Sequence, residues 1–213
     1  MFVMSQQVRA WIDRYGQPAE VAFRMPTLDE EFEMIRASQK QGRAHDVTLY
    51  IRKADRFIVN AKPFYPPGQY RAPSGGLEPS ENLEDGVARE VAEETGTEVT
   101  LQRFLLISQV TFVRSEMPPV WEGSVVPFMV KPHDNGSWPE PSSNEEIPWV
   151  SYVFLADYVS GDFEFTDRRE IKEVRLARLD EFDGFSKIMR QSQTGGLHYR
   201  AALHDTVAML LGE

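Results

Sequence analysis

The stretch Gly75-Gly76-Leu77-Glu78-Pro79-Ser80-Glu81, continued by Asn82 to Ala88 and closed by Arg89-Glu90-Val91-Ala92-Glu93-Glu94-Thr95-Gly96, decides how the rest of the chain is read. Its second half has helix spacing. Val87, Val91 and Thr95, with Ala88, form a stripe that can anchor on a sheet, and Gly96 stands where a left-handed C-cap belongs. On that helix Glu90 and Glu94 are one turn apart and Glu93 follows Glu90 by three residues, so three carboxylates project from one side. Such like charges repel by ~0.2–0.5 kcal/mol per pair, and a hard divalent cation is their natural compensator. Arg89 can reach Glu93 at i+4 or an acid outside the helix. The Gly75-Gly76 pair lets backbone come close to a ligand, as a carbonyl toward a metal or an amide toward phosphate. A run of acids is ordinarily a solvated helix face; here the complete spacing argues otherwise.

That spacing is glycine, five residues, glutamate, seven residues, then Arg-Glu-apolar-any-Glu-Glu-any-Gly, filled by Gly75, Glu81, Arg89, Glu90, Val91, Glu93, Glu94 and Gly96. It resembles the Nudix box, the signature of the Nudix hydrolases. Chance would supply it on the order of 10⁻⁶ times in a chain of this length. Thr97 stands where the family usually has a bulky aliphatic residue, a departure that bears on packing rather than chemistry. The resemblance implies an α/β fold, an α/β/α sandwich with a mixed β-sheet, that hydrolyses a nucleoside diphosphate linked to another moiety. It implies Mg²⁺ or Mn²⁺ held by Glu90, Glu94 and a backbone carbonyl at Gly75, with Glu93 sharing the metal or pairing with Arg89. Glu81, with Arg89, would support that site from outside.

A general base in this family comes from the box or from a glutamate before a late strand. Asp167 to Arg175 resembles that late element, which makes Glu170 the first choice and Glu145 and Glu146 the next. Arg71 and Gly76 are the expected phosphate contacts, and Tyr65, Tyr70, Trp121 and Trp138 are aromatics that can stack on a base or sit in the core. The proline that marks ADP-ribose members is missing, since the first proline after the box is Pro118, and the coenzyme A signature is incomplete. A protein that senses a nucleotide on the same scaffold without cleaving it is the alternative. Members of that kind tend to lose box carboxylates, which this chain keeps.

The 213 residues, 41% hydrophobic and 26% charged, suit a soluble globular chain and disfavour disorder, collagen and coiled coil. A net charge of −10 argues against a surface for bare nucleic acid or anionic membrane, so the expected partner is a small-molecule nucleotide. With no cysteine there is no thiolate zinc site, disulfide framework or thiol nucleophile, and four histidines without ligand spacing leave oxygen as the metal donor. No apolar leader or membrane-length run is seen, so a cytoplasmic protein is expected; family members often dimerise, so a homodimer is expected too.

Two units are expected, an N-terminal helical segment over 1–45 and the hydrolase domain over 46–213. In the first, Val8, Trp11, Ile12 and Tyr15 recur at helix spacing until Gly16 and Pro18, and a second helix begins at an N-cap Thr27 with Glu30 in capping-box register. Strands are expected over 47–51, 57–59, 104–113, 124–130, 150–157 and 174–179, and closing helices over 180–191 and 198–211. Residues 63–76 read as a loop and 133–146 as a long polar lid or mobile stretch.

Overall fold

The structure, a computed structural model, describes residues 6–42, 45–78, 81–120, 129–130 and 145–212. Its elements in chain order are α1 (Gln6–Tyr15), β1 (Ala19–Leu28), α2 (Asp29–Lys40), β2 (His45–Lys53), β3 (Arg56–Ala61), β4 (Ser74–Gly75), α3 (Leu83–Thr95), β5 (Thr97–Ser115), β6 (Met129–Val130), β7 (Glu146–Gly161), β8 (Glu173–Ala177), α4 (Phe182–Met189) and α5 (Gly195–Gly212). The strands form one sheet in the order β6-β1-β5-β7-β2-β3-β8, with β4 pairing on β2. The β1/β5 and β2/β7 pairs are parallel and the others antiparallel, so the sheet is mixed.

Alternation along the strands builds two cores. Val47, Leu49 and Ile51 of β2 face α1 and α3, where they join Trp11, Leu83, Val87, Val91 and Phe104. Tyr50 points the other way, to a cluster containing Phe32 of α2, Phe182 of α4 and Tyr199 of α5. The result is the expected three-layer α/β/α arrangement, with α1 on the same face as the acidic helix.

The first 45 residues are not helical throughout. Between α1 and α2 lies β1, paired with β5 over ten residues, with Phe23 and Met25 buried. Val21, Phe23 and Met25 alternate as a strand should, but Pro26 conceals the pattern, because proline removes a ladder donor. Among the described residues, only Ala22 and Phe23 of β1 pair with β6. Thr27 is no helix cap: its hydroxyl donates to the Met25 carbonyl, and α2 starts after Leu28 without a side-chain cap.

At the other end α5 begins at Gly195, earlier than expected, because the Glu31 carboxylate accepts the Gly195 and Gly196 amides at 2.7 and 2.9 Å. A cap supplied from a distant helix has no local sequence signal. The expected strand over 124–130 is described only at Met129–Val130, and Trp121, Trp138 and nearly all of the 133–146 stretch lie outside the described residues.

Candidate active site

The acidic helix forms where the spacing placed it. Asn82 caps α3, its side chain accepting from the Asp85 amide at 2.9 Å, and Gly96 closes it at φ 64°. A Cβ at Gly96 would lie 2.5 Å from the backbone of Glu164, so glycine also admits the loop that crosses the helix end. There the Thr166 and Asp167 amides donate to the Glu93 carbonyl at 3.1 and 3.2 Å, satisfying a terminal acceptor of the helix.

Arg89 ties the glycine loop to this helix. It donates to both oxygens of Glu81, at 3.1 and 2.8 Å, to the Gly76 carbonyl at 3.0 Å and to Glu90 at 2.8 Å. The bidentate pair holds the Glu81 carboxyl below the usual carboxylate range, the arginine hydrogen bond being the largest cause. Glu93 lies 3.9 Å from the same guanidinium and is half exposed.

Glu90 and Glu94 differ although both belong to the acidic face. Burial pushes the Glu90 carboxyl up, Arg89 opposes the rise, and the charges of Glu94 and Glu93 add to it. The side chain lies so close to Gly75 that a Cβ there would fall 2.0 Å from the Glu90 carboxyl carbon. Glycine at 75 is therefore a requirement of the Glu90 position. Glu94 is buried with both oxygens accepting: Arg71 donates at 3.0 Å to one oxygen, and Asn60 Nδ2 and the Ser74 amide donate at 2.8 and 3.2 Å to the other.

Arg71, the expected phosphate contact, is itself buried and directed at Glu94 and, at 3.3 Å, at the Asn60 side-chain oxygen. Asn60 and Arg71 also form a backbone bridge between β3 and the loop before β4. Gly76 contributes its carbonyl to Arg89. Among the described residues no three His, Asp or Glu side chains stand close enough together to enclose an ion as they are arranged. Even so, the available donors are carboxylates and a glycine-loop carbonyl, and Glu90 is a half-desolvated carboxylate lodged in a cradle that only glycine leaves open. That donor set is chemically suited to a hard divalent cation.

Glu170 sits in the loop past the α3 terminus, half exposed and ion-paired with Lys62, which follows β3. Glu145 and Glu146 stand elsewhere, paired with Arg114 and Arg24 near α2 and β1. Tyr65 is buried, and Tyr70 lies under the Arg175 guanidinium at 4.2 Å and beside Phe185. Sequence reasoning passed over Asn60 and Lys62. Asn60 had a signal, a lone amide in the apolar run Phe57 to Ala61, where a buried polar group demands a partner.

Among solved structures, the chain is similar to a Nudix hydrolase from Nitrosomonas europaea, with a TM-score of 0.41 at 17% identity, covering 76% of this chain and 89% of that one. A curated relative, the NAD-capped RNA hydrolase NudC of Photobacterium profundum, is 28% identical over 77% of this chain and 46% of its own length. The RNA pyrophosphohydrolase of Caulobacter vibrioides is 30% identical over 54% of this chain and 59% of its own. The chain thus spans about half the length of the curated relatives it matches. No described helix is long and apolar enough to cross a membrane. Residues 42–194, which run from just before β2 through the glycine loop, the acidic helix and the Glu170 loop, match the NUDIX domain, and the chain belongs to that family.

Proposed function

We propose that the chain is a Mg²⁺- or Mn²⁺-dependent pyrophosphohydrolase that opens the phosphoanhydride of a nucleoside diphosphate derivative. The observation that carries the reading is the lodging of Glu90 against Gly75, with Arg89 joining Glu81, Glu90 and the Gly76 carbonyl in one network. Glu90, Glu93, Glu94 and the Gly75 carbonyl are the groups to hold the cation. Bound there, the metal supplies charge neutralisation of the diphosphate and acidification of water.

The chain's own residues do the rest. Arg71 and Asn60 fix the Glu94 carboxylate, and Arg89 fixes Glu90, so the acids are oriented before substrate arrives. In the reaction water adds to phosphorus, the bridging oxygen leaves, and the water's proton passes to a carboxylate. Glu170, on the loop anchored to the Glu93 carbonyl, is the proposed acceptor, and its ion pair with Lys62 holds the side chain in place. Phosphoryl chemistry of this kind needs positioning and charge more than a covalent nucleophile.

A second reading takes a triphosphate or dinucleotide-capped RNA 5′ end as substrate. It is favoured by what the two curated relatives are named for, and it bears on the expectation that nucleic acid is no partner. The test is a panel of nucleotide sugars, dinucleoside polyphosphates, nucleoside triphosphates, coenzymes and 5′-modified RNA, assayed with Mg²⁺ and with Mn²⁺. Glu90→Gln and Glu94→Gln should each lower turnover by about 10² or more while the circular dichroism stays that of the wild type. Wild-type turnover in both variants refutes the assignment, and cleavage confined to RNA selects the second reading.

A further inference from the structure

Two of the cations that border the acidic helix are committed within the protein. Arg71 is buried against Glu94 and the Asn60 side chain, and Arg89 is shared among Glu81, Glu90 and the Gly76 carbonyl. Lys62 is placed differently. Its side chain is 14% exposed, and the acid it pairs with, Glu170, is 59% exposed. A pair open to water on one side is weakly held, so one partner can be exchanged for another at little cost. An ammonium has three protons to donate, and a single Glu170 oxygen accepts one of them.

Both members of the pair are tied to the helix that carries the acids. Lys62 stands two positions after Asn60, the interval that returns extended chain to the same face, and their Cα atoms are about 7 Å apart. Asn60 donates to Glu94 at 2.8 Å. The Lys172 amide donates to the Ala61 carbonyl at 2.8 Å and pins the chain just before Lys62. On the other side, the Asp167 amide donates to the Glu93 carbonyl at 3.2 Å, and the Glu170 amide turns back to the Asp167 carbonyl at 3.3 Å and to its carboxylate at 3.1 Å. Lys62 is thus joined to the acids through Asn60 and Glu94, and Glu170 through Asp167 and Glu93.

Charge says what such an ammonium is for. Glu90, Glu93 and Glu94 carry more negative charge than one divalent cation neutralises, so a diphosphate entering the site meets a shortage of positive charge. Lysine binds phosphate as a point charge. The carboxylate proposed to take the water's proton, meanwhile, has one oxygen engaged by that same ammonium.

We infer that Lys62 is a phosphate-binding residue of this site, passing from Glu170 to a non-bridging oxygen of the diphosphate as substrate enters and leaving Glu170 free to take the water's proton. The ammonium keeps its three protons throughout, and only its partner changes. Without substrate the pair holds Glu170 in place; with substrate the base is released where there is an anhydride to open. This deepens the hydrolase reading and rests on it for the diphosphate.

The test measures binding without turnover. Methylenediphosphonate, a diphosphate whose bridging oxygen is replaced by CH₂ and which is not hydrolysed, is titrated with Mg²⁺ into the full-length chain by calorimetry. Lys62→Met should weaken binding about tenfold, the worth of one charged hydrogen bond, and Lys62→Arg should restore most of it. Arg169→Met, which removes an exposed cation of the same loop, should leave binding within about twofold. In the wild type the ¹⁵N NMR signal of the Lys62 ammonium, assigned by its absence from Lys62→Arg, should shift on binding. With a hydrolysed substrate Lys62→Met should raise KM, whereas a lysine that only steadied Glu170 would lower kcat and leave methylenediphosphonate binding as it was.

The inference is overturned if methylenediphosphonate does not bind the wild type, if its binding is indifferent to Lys62→Met, or if Arg169→Met costs as much. If it binds through Lys62 but no anhydride is cleaved, Lys62 keeps its assignment and the hydrolase reading falls. Metal-dependent cleavage in which Lys62→Met changes kcat alone keeps the hydrolase reading and removes Lys62 from the phosphate.

Discussion

Replacing Arg71 by methionine separates two accounts of that residue. As a phosphate contact it would matter to KM and little to stability. In the structure it donates at 3.0 Å to Glu94, with about nine-tenths of both side chains buried. At that separation, and with an effective dielectric of 20, the attraction is about 5–6 kcal/mol before either charge's desolvation is counted. Arg71→Met leaves the buried Glu94 charge with only the Asn60 and Ser74 donors, a loss of about 3–5 kcal/mol. For a chain of this size that lowers the melting temperature by roughly 10 °C. Glu94→Gln in the same background removes the stranded charge while keeping an acceptor for Asn60 and Ser74. The double variant should then be at least as stable as Arg71→Met alone, with a coupling of about 2 kcal/mol or more from urea unfolding of the four proteins. Additivity within about 0.5 kcal/mol would refute the buried-pair argument.

Gly75→Ala should displace Glu90, because the new Cβ would fall 2.0 Å from its carboxyl carbon, and turnover should drop about 100-fold with a small change in melting temperature. Unchanged kinetics would show that Glu90 works from another position. Mn²⁺ at about 100 times its dissociation constant should add about 2.7 kcal/mol to the stability of the wild type and markedly less to Glu90→Gln, read by scanning calorimetry. His204 is pushed from 6.5 down to about 3, chiefly by burial and then by the Arg200 and Arg71 charges. It is neutral when folded and protonates on unfolding, so its contribution is whole above 6.5 and is lost as pH falls from there toward 3. At about 1.4 kcal/mol per pH unit, His204→Gln should flatten the fall of stability with acid in urea titrations, whereas profiles parallel to the wild type would contradict the burial argument.

The acidic helix was legible because everything that makes it is local. Asn82, the apolar stripe of Val87 and Val91, and Gly96 lie within fifteen positions, and each has its own sequence preference. Arg89 was legible for the same reason, since its partners are in the box. Where tertiary context decides, the reading ran out. β1 escaped because Pro26 argues against a strand until the neighbouring edge is known. The start of α5 escaped because its cap is Glu31, far away in sequence. The inequality of Glu90 and Glu94 is of this kind too: nothing in Arg-Glu-Val-Ala-Glu-Glu distinguishes a carboxylate beside Gly75 from one buried against β3 until the bridge between Asn60 and Arg71 is formed.

That inequality explains how a helix face carrying Glu90, Glu93 and Glu94 survives its own repulsion. Each like pair costs a few tenths of a kcal/mol on an exposed helix and more where Glu90 is desolvated. Two arginines offset it in different ways. Arg89, on the same helix as the acids it serves, joins Glu81, Glu90 and the loop and keeps the box a single unit. Arg71 comes from outside the helix and fastens that unit to β3 through Glu94. The first contact sets the mutual geometry of the acids, and the second sets their place relative to the sheet. Because the helix also buries Leu83, Val87 and Val91 and carries both caps, the protein's own groups satisfy it. The helix is therefore held by protein groups alone, unlike small domains whose metal supplies the folding free energy.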